Sequence, residues 1–355
     1  MTELLNHLLA RIASQGPISL AEYMSTCLLH PEHGYYTTRD PLGARGDFTT
    51  APEISQMFGE VIGLGLAQAW LDQDTPEHFV LAELGPGRGS LMADILRATR
   101  RVPGFHAAAK VHLVEASPAL RKAQAARLAG YAPTWHDTAA ELPDDVPLYL
   151  VANEFFDALP IRQFQRTADN WSEILVTATE GRLTRARATP APLDALANRL
   201  ADTAEGDLVE TCAPAQAIAA EIGHRIATQG GVALIIDYGD WRSQGDTFQA
   251  LRRHEYADPL EMPGHSDLTA HVDFEAIAQA AAPAKYTRLT GQGLFLERLG
   301  ITARAQALAQ HLSGTPLENH ISAHRRLTHP EEMGTLFKVL GLYPEGATLP
   351  AGLSE

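Results

Sequence analysis

Phe79-Val80-Leu81-Ala82-Glu83-Leu84-Gly85-Pro86-Gly87-Arg88-Gly89 is the stretch whose reading decides the fold. Its first six residues form a short apolar run, the pattern of a strand buried on both faces. Three glycines at alternate positions then make a turn in which the backbone can approach a ligand closely. The next segment, 90–99, carries helical spacing, so the turn opens a helix whose free N–H groups face whatever lies there.

Outward from this unit the chain alternates strands and helices, the signature of a parallel sheet covered on both sides. Strands are expected at 79–84, 110–115, 131–135, 148–152 and 231–237, with helices at 90–99 and 118–128. Between the fourth and fifth strands lies an insertion at about 161–230. It reads as β-rich over 161–165, 171–177 and 182–188, Pro/Ala-rich at 189–197, and helical near 214–228. After the fifth strand, 238–270 reads as a polar irregular loop. Helices follow at 273–282, 301–312 and 330–340, with a strand at 284–290.

Upstream, Leu4, Leu5, Leu8, Leu9 and Ile12 share one helical face, and Ser19 with Glu22 forms a capping box that starts a second helix. A long Gly/Pro/Asp/Thr-rich loop over 30–52 is read as a lid. A third helix is expected from about Glu53 to Leu71. The domain division expected is an N-terminal helical region and lid loop at 1–78, an α/β core at 79–294, and a C-terminal helical extension at 295–355.

The chain has 355 residues, of which 45% are hydrophobic and 20% charged, as in ordinary globular proteins. A formal charge of −15 disfavours loose binding to nucleic acid. No apolar run approaches the ~18 residues needed for membrane insertion. The N-terminus reads as neither a secretory signal nor a transit peptide, which implies a bacterial cytoplasmic protein. Cys27 and Cys212 stand far apart and read as free thiols. The 15 histidines show no metal-ligand spacing, so no metal is expected.

The spacing Gly85-x-Gly87-x-Gly89 differs from the G-x-G-x-x-G of dinucleotide folds. Glu83, ending the strand before it, is placed to hold a cationic amino-acid portion and ill placed against a pyrophosphate. Glu115 ends the next strand, where a carboxylate accepts hydrogen bonds from ribose hydroxyls. This combination points to S-adenosylmethionine as cofactor. Trp135, His136 and Asp137 fall where adenine would be enclosed, although Trp135 suits core packing equally. After the fourth strand comes Asn153-Glu154-Phe155-Phe156-Asp157-Ala158-Leu159-Pro160. Ligands of such sheets bind at the carboxyl ends of the strands, so Asn153, Glu154 and Asp157 are the catalytic candidates. Carboxylates there can grip a guanidinium. In Gly46-Asp47-Phe48-Thr49-Thr50-Ala51-Pro52-Glu53-Ile54-Ser55-Gln56, Ser55 or Thr50 can close over the cofactor, although helix capping explains Thr50 and Glu53 equally well. Asp237-Tyr238-Gly239 ends the fifth strand near the site.

These strings, with Val114-Glu115-Ala116-Ser117-Pro118, Thr269-Ala270-His271-Val272-Asp273-Phe274 and Leu336-Phe337-Lys338-Val339-Leu340, resemble the MidA-like family of S-adenosylmethionine-dependent methyltransferases. The resemblance runs from about Gly34 to Leu340. It implies a class I, Rossmann-like seven-stranded sheet with an N-terminal helical part and an α+β insertion after strand 4. Glu83, Gly85, Gly87 and Glu115 match the family's cofactor positions and Asn153 to Asp157 its site after strand 4; Gly89, Ser117, Thr50 and Ser55 are further cofactor candidates. The resemblance also implies a protein substrate methylated on arginine; in mitochondria, where family members are complex I assembly factors, this is a quinone-module subunit of respiratory complex I. Two other readings fit the same residues: methylation of another planar nitrogen, and a non-catalytic cofactor-binding assembly chaperone.

Overall fold

The computed structural model describes residues 2–38 and 49–355. The chain divides into two compact units, each assembled from separate stretches. The larger comprises Thr49–Phe156, Gln216–Trp241 and Phe274–Glu355. The main path of its sheet comprises β1 (Phe79–Leu84), β2 (Ala109–Val114), β3 (Thr134–His136), β4 (Leu148–Asn153), β5 (Gly231–Asp240), β6 (Lys285–Tyr286) and β7 (Phe337–Tyr343), and Thr290–Gly291 also pairs with β7, so the sheet exceeds the seven strands expected. Their order across the sheet is β6-β7-β5-β4-β1-β2-β3. Neighbours from β5 to β3 are parallel, whereas β7 runs antiparallel to β5 and to β6.

Strand alternation divides the core into two layers. Phe79, Leu81, Val111, Leu113, Tyr149, Val151, Leu234, Ile236 and Val339 share one hydrophobic cluster. It includes Phe58, Ile62 and Leu66 of α1 (Gln56–Asp72) and Leu91, Ile95 and Leu96 of α2 (Ser90–Thr99). The intervening residues Val80, Ala82, Leu84, Leu150, Ala152 and Ile235 are also buried. Both faces of the sheet are therefore dry, as parallel strands require. The two helices pack closely, because a Cβ at Gly59 would lie 2.6 Å from Asp94 Cβ. Ser117 N-caps a further helix, α3 (Pro118–Arg127).

The smaller unit comprises Met1–Phe48, Asp157–Ala215 and Arg242–Asp273. Its main sheet orders Ile18–Ser19, Asn170–Thr179, Arg162–Thr167 and Leu208–Thr211, with Arg182–Arg187 pairing Asn170–Thr179. The helices Glu3–Gln15 and Leu20–Leu29 bury Leu4, Leu8, Tyr23, Met24 and Leu28 in one cluster with Val176 and Leu183 of this sheet. The expected capping box is present, with Ser19 Oγ accepting from Glu22 N and Glu22 Oε2 accepting from Ser19 N. Cys27 and Cys212 are free thiols.

Three further expectations are corrected. The helix expected over 330–340 is instead a single turn at Pro330–Gly334 followed by β7. Every residue of β7 except Lys338 is buried, so burial on both faces masks the period that would mark a strand. The helix expected from Glu53 to Leu71 is two, Ala51–Ile54 and α1, because Ser55 is extended at φ −159° and caps the second. The loop expected over 238–270 holds a three-stranded sheet of Glu255–Ala257, Gln249–Arg252 and Asp267–Thr269. Among the described residues no helix is long and apolar enough to cross a membrane.

Candidate active site

The turn after β1 is built as its glycines demand. Gly85, Gly87 and Gly89 have φ of 61°, 52° and 76°, a region where a side chain is strained. Gly89 N donates to Pro86 O at 2.7 Å, and Gly89 is the N-cap of α2. A Cβ at Gly85 would lie 2.8 Å from Phe155 Cδ2, so the turn also lies tight against the loop after β4.

Two carboxylates flank the turn in contrasting states. Glu83, at the end of β1, is 3% exposed, and its Oε2 has no hydrogen-bond partner among the described residues. Burial pushes its pKa up to about 8, helped by the nearby charges of Glu115 and Asp94 and opposed by the Met92 backbone. It is therefore a mostly neutral acid at pH 7, and an approaching cation would ionise it. Glu115, following β2, is instead held on both oxygens. Oε1 accepts from Ser117 N at 2.8 Å and Oε2 from Gln124 Nε2 at 3.2 Å. Burial raises its pKa, while the Ser117 and Gln124 hydrogen bonds and the Arg121 charge pull it back down.

The residues proposed to enclose an adenine are tied into the sheet edge. Trp135 Nε1 donates to Gln124 Oε1 at 2.8 Å, and its ring packs against the main core. His136 Nε2 lies 2.8 Å from His112 Nδ1, and Asp137 pairs with Arg121 at 2.5 Å. Arg121 also donates to the carbonyls of Glu115 and His136, joining the ends of β2 and β3.

The loop after β4 is locked through its backbone. Glu154 N donates to Ile236 O at 2.9 Å, and Glu154 has φ 51°, unusual for a residue with a side chain. Asp237 is fully buried, and its Oδ2 accepts from Phe155 N at 3.2 Å and Phe156 N at 3.0 Å. Its placement near the site at the sequence level thus acquires a physical role, that of a scaffold for the loop. Asn153 is 7% exposed; its Nδ2 donates to Glu154 Oε1 at 3.0 Å, and its Oδ1 is buried with no partner among the described residues.

Glu154 Oε1 also accepts from Ala51 N at 2.9 Å, tying the helix Ala51–Ile54 to this loop. On the helix's other side, Glu53 accepts from Ser90 Oγ at the start of α2, and Arg127 donates to the same hydroxyl. Both latches were invisible in the sequence, since their partners are separated by 103 and 37 residues. Ser55 Oγ accepts from Met57 N at 3.2 Å and so caps α1. Thr50 is the N-cap residue of Ala51–Ile54 without a side-chain capping bond. Gly46, Asp47 and Phe48 lie outside the described residues. Asp157, which opens the second stretch of the smaller unit, is buried at 7% exposure, and its carbonyl accepts from Ala270 N at 3.0 Å.

A family described as "Putative S-adenosyl-L-methionine-dependent methyltransferase" matches residues 61–291. The chain belongs to this family of S-adenosylmethionine-dependent methyltransferases. Its relatives include Protein arginine methyltransferase NDUFAF7, mitochondrial, from Danio rerio, 39% identical across 94% of this chain and 85% of that protein. The Homo sapiens protein of the same name is 36% identical over 97% of this chain and 84% of its own length. Among solved structures, a superfamily member from Burkholderia thailandensis bound to S-adenosyl-homocysteine superposes with a TM-score of 0.84. It is 32% identical, over 98% of this methyltransferase and 93% of that chain. A native structure from the same organism gives 0.79 at 30% identity, with the same coverage of both chains.

Proposed function

We propose that this methyltransferase modifies an arginine side chain of a protein, using S-adenosylmethionine bound at the turn of Gly85, Gly87 and Gly89. One observation carries the placement: the buried, partnerless Oε2 of Glu83 beside a turn of three left-handed glycines. An ammonium group is the ligand that such an acid fits, and the amino-acid end of the cofactor carries one. Glu115, with its carboxylate oriented by Ser117 N and Gln124, takes the ribose hydroxyls, while Ser117 supports it from the backbone. Thr50, whose hydroxyl makes no capping bond, closes over the cofactor, whereas Ser55 acts through its cap on α1.

The bound cofactor supplies a methyl group on a sulfonium, open to in-line displacement by a nitrogen. The protein's part is alignment and electrostatics. Asn153 Oδ1, a buried acceptor without a donor, receives an N–H of the attacking guanidinium and turns its nitrogen toward the methyl. Glu154 contributes charge that selects a cation. The arginine proton is held so tightly that its loss follows transfer, which leaves no need for a strong general base.

In this reading the sheet is a class I methyltransferase core, 161–230 an insertion after its fourth strand, and 295–355 a C-terminal extension. The acceptor is a quinone-module subunit of respiratory complex I, methylated in a bacterial cytoplasm. The names of the mitochondrial relatives support arginine as acceptor. The test is mass spectrometry of respiratory-chain proteins from cells with and without the gene, followed by transfer of radiolabelled methyl to the purified subunit. An arginine methylated only when the gene is present is the expected result. An unchanged inventory of methylated arginines overturns the acceptor.

A further inference from the structure

No motif marks Gln124, yet its side chain makes three hydrogen bonds beside the glycine turn. It lies on α3 and is fully buried. Its Nε2 donates to Gly87 O at 2.7 Å and to Glu115 Oε2 at 3.2 Å, and its Oε1 accepts from Trp135 Nε1 at 2.8 Å. These partners come from the turn after β1, the end of β2 and the middle of β3. The amide can point only one way: an indole N–H only donates, while a carbonyl and a carboxylate only accept. Rotating the amide by 180° would turn all three contacts repulsive. Burying an amide is costly unless it is hydrogen-bonded, and an apolar residue would fill the same space without that demand.

What the arrangement achieves is seen at Glu115. Ser117 N takes one lone-pair direction on Oε1, and Gln124 takes one on Oε2. The carboxylate plane is thereby fixed, with acceptor capacity left on each oxygen for a pair of hydroxyls on adjacent carbons. The same amide holds the carbonyl of Gly87, so the acid and the turn keep one spacing. We propose that Gln124 is a positioning residue that orients Glu115 for the ribose diol. This rests on the assignment of Glu115 to the ribose made above.

The experiment measures binding of S-adenosylhomocysteine and of its analogue lacking both ribose hydroxyls, by calorimetry. The proteins are the wild type, Gln124→Met, Gln124→Glu and Glu115→Ala. Methionine fills the space of glutamine without its hydrogen bonds. Gln124→Met is expected to lose roughly tenfold in affinity for S-adenosylhomocysteine, the scale of one lost bond to a charged group, and to bind the analogue as the wild type does. An equal loss for both ligands would mean a merely structural residue and overturn the proposal. Gln124→Glu sets a second carboxylate against Glu115, so its affinity for S-adenosylhomocysteine should recover as pH falls and the new acid becomes a donor. A pH profile parallel to the wild type's would also overturn it. Glu115→Ala separates the two levels. If it keeps full discrimination for the hydroxyls, the ribose assignment itself fails. If it loses discrimination while both Gln124 variants keep it, only the role of Gln124 fails.

Discussion

The two carboxylates at the ends of β1 and β2 sit on neighbouring strands of one sheet and are prepared in opposite ways. Glu115 is held on both oxygens by Ser117 N and Gln124. Glu83 is buried with Oε2 unmet and a pKa pushed up to about 8. A finished carboxylate suits neutral hydroxyls, whose hydrogen bonds are weak and directional. An unfinished one suits a cation, which completes it by ionising it. The contrast teaches that burial alone does not define a binding acid; what matters is which bonds the protein has left for the ligand to make.

The harshest way to break the comparison is to remove the turn between the two acids. Gly87→Val puts a β-branched residue at φ 52° and blocks the approach of a ligand to the backbone. Saturable binding of S-adenosylmethionine should fall by at least ~100-fold, the scale of a steric block plus ~1–2 kcal/mol of strain. Calorimetry checks it, with circular dichroism confirming that the protein remains folded.

Glu83→Gln sharpens the comparison through pH. The folded pKa of about 8 lies above the ordinary 4.5, so between these values the folded state binds more protons than the unfolded chain. Stability from this group is full below about pH 4.5 and is lost as pH rises through about 8. The ligand-free wild type should therefore unfold at lower urea as pH rises across that window. Glu83→Gln should flatten that decline.

The loop after β4 extends the contrast to a third acid. Glu154→Gln can still accept from Ala51 N, so cofactor affinity should stay within ~3-fold, about the worth of one modest hydrogen bond. Methyl transfer to an arginine peptide should fall more, by ~10-fold, if the lost charge selects a cation. Glu154→Ala removes the latch as well and should weaken both affinity and transfer. Radiolabel transfer and calorimetry on the same preparations distinguish the two losses. The smallest effect is expected from Ser55→Ala, which removes the cap of α1 for ~1 kcal/mol of stability in urea unfolding and leaves cofactor affinity unchanged.

How much of this was legible in the sequence follows from where the determinants lie. The span 79–84 of β1 and 90–99 of α2 agree residue for residue between sequence and structure, because a glycine turn punctuates both. Glu83 and Glu115 were readable as strand-terminal acids, and Asn153 as the first residue past an apolar run. Their states were not readable, since Glu83 is made acidic or neutral by packing from elements far along the chain. Gln124 escaped because a polar residue on a short helix looks like a solvated face. β7 escaped because burial on both sides erases its period. Pairs such as Glu154 with Ala51 are local only after folding.

The most direct test of the central claim, that Glu83 is an unfinished acid completed by the cofactor, is calorimetric titration with S-adenosylmethionine at pH 6.5. It is run in two buffers of different ionisation enthalpy. With Glu83 near pKa 8 before binding and the ligand's amino group already protonated at this pH, binding should release close to one proton per site. Glu83→Gln should bind more weakly and release none. Saturable binding with no proton release, or with release unchanged in Glu83→Gln, would contradict the account.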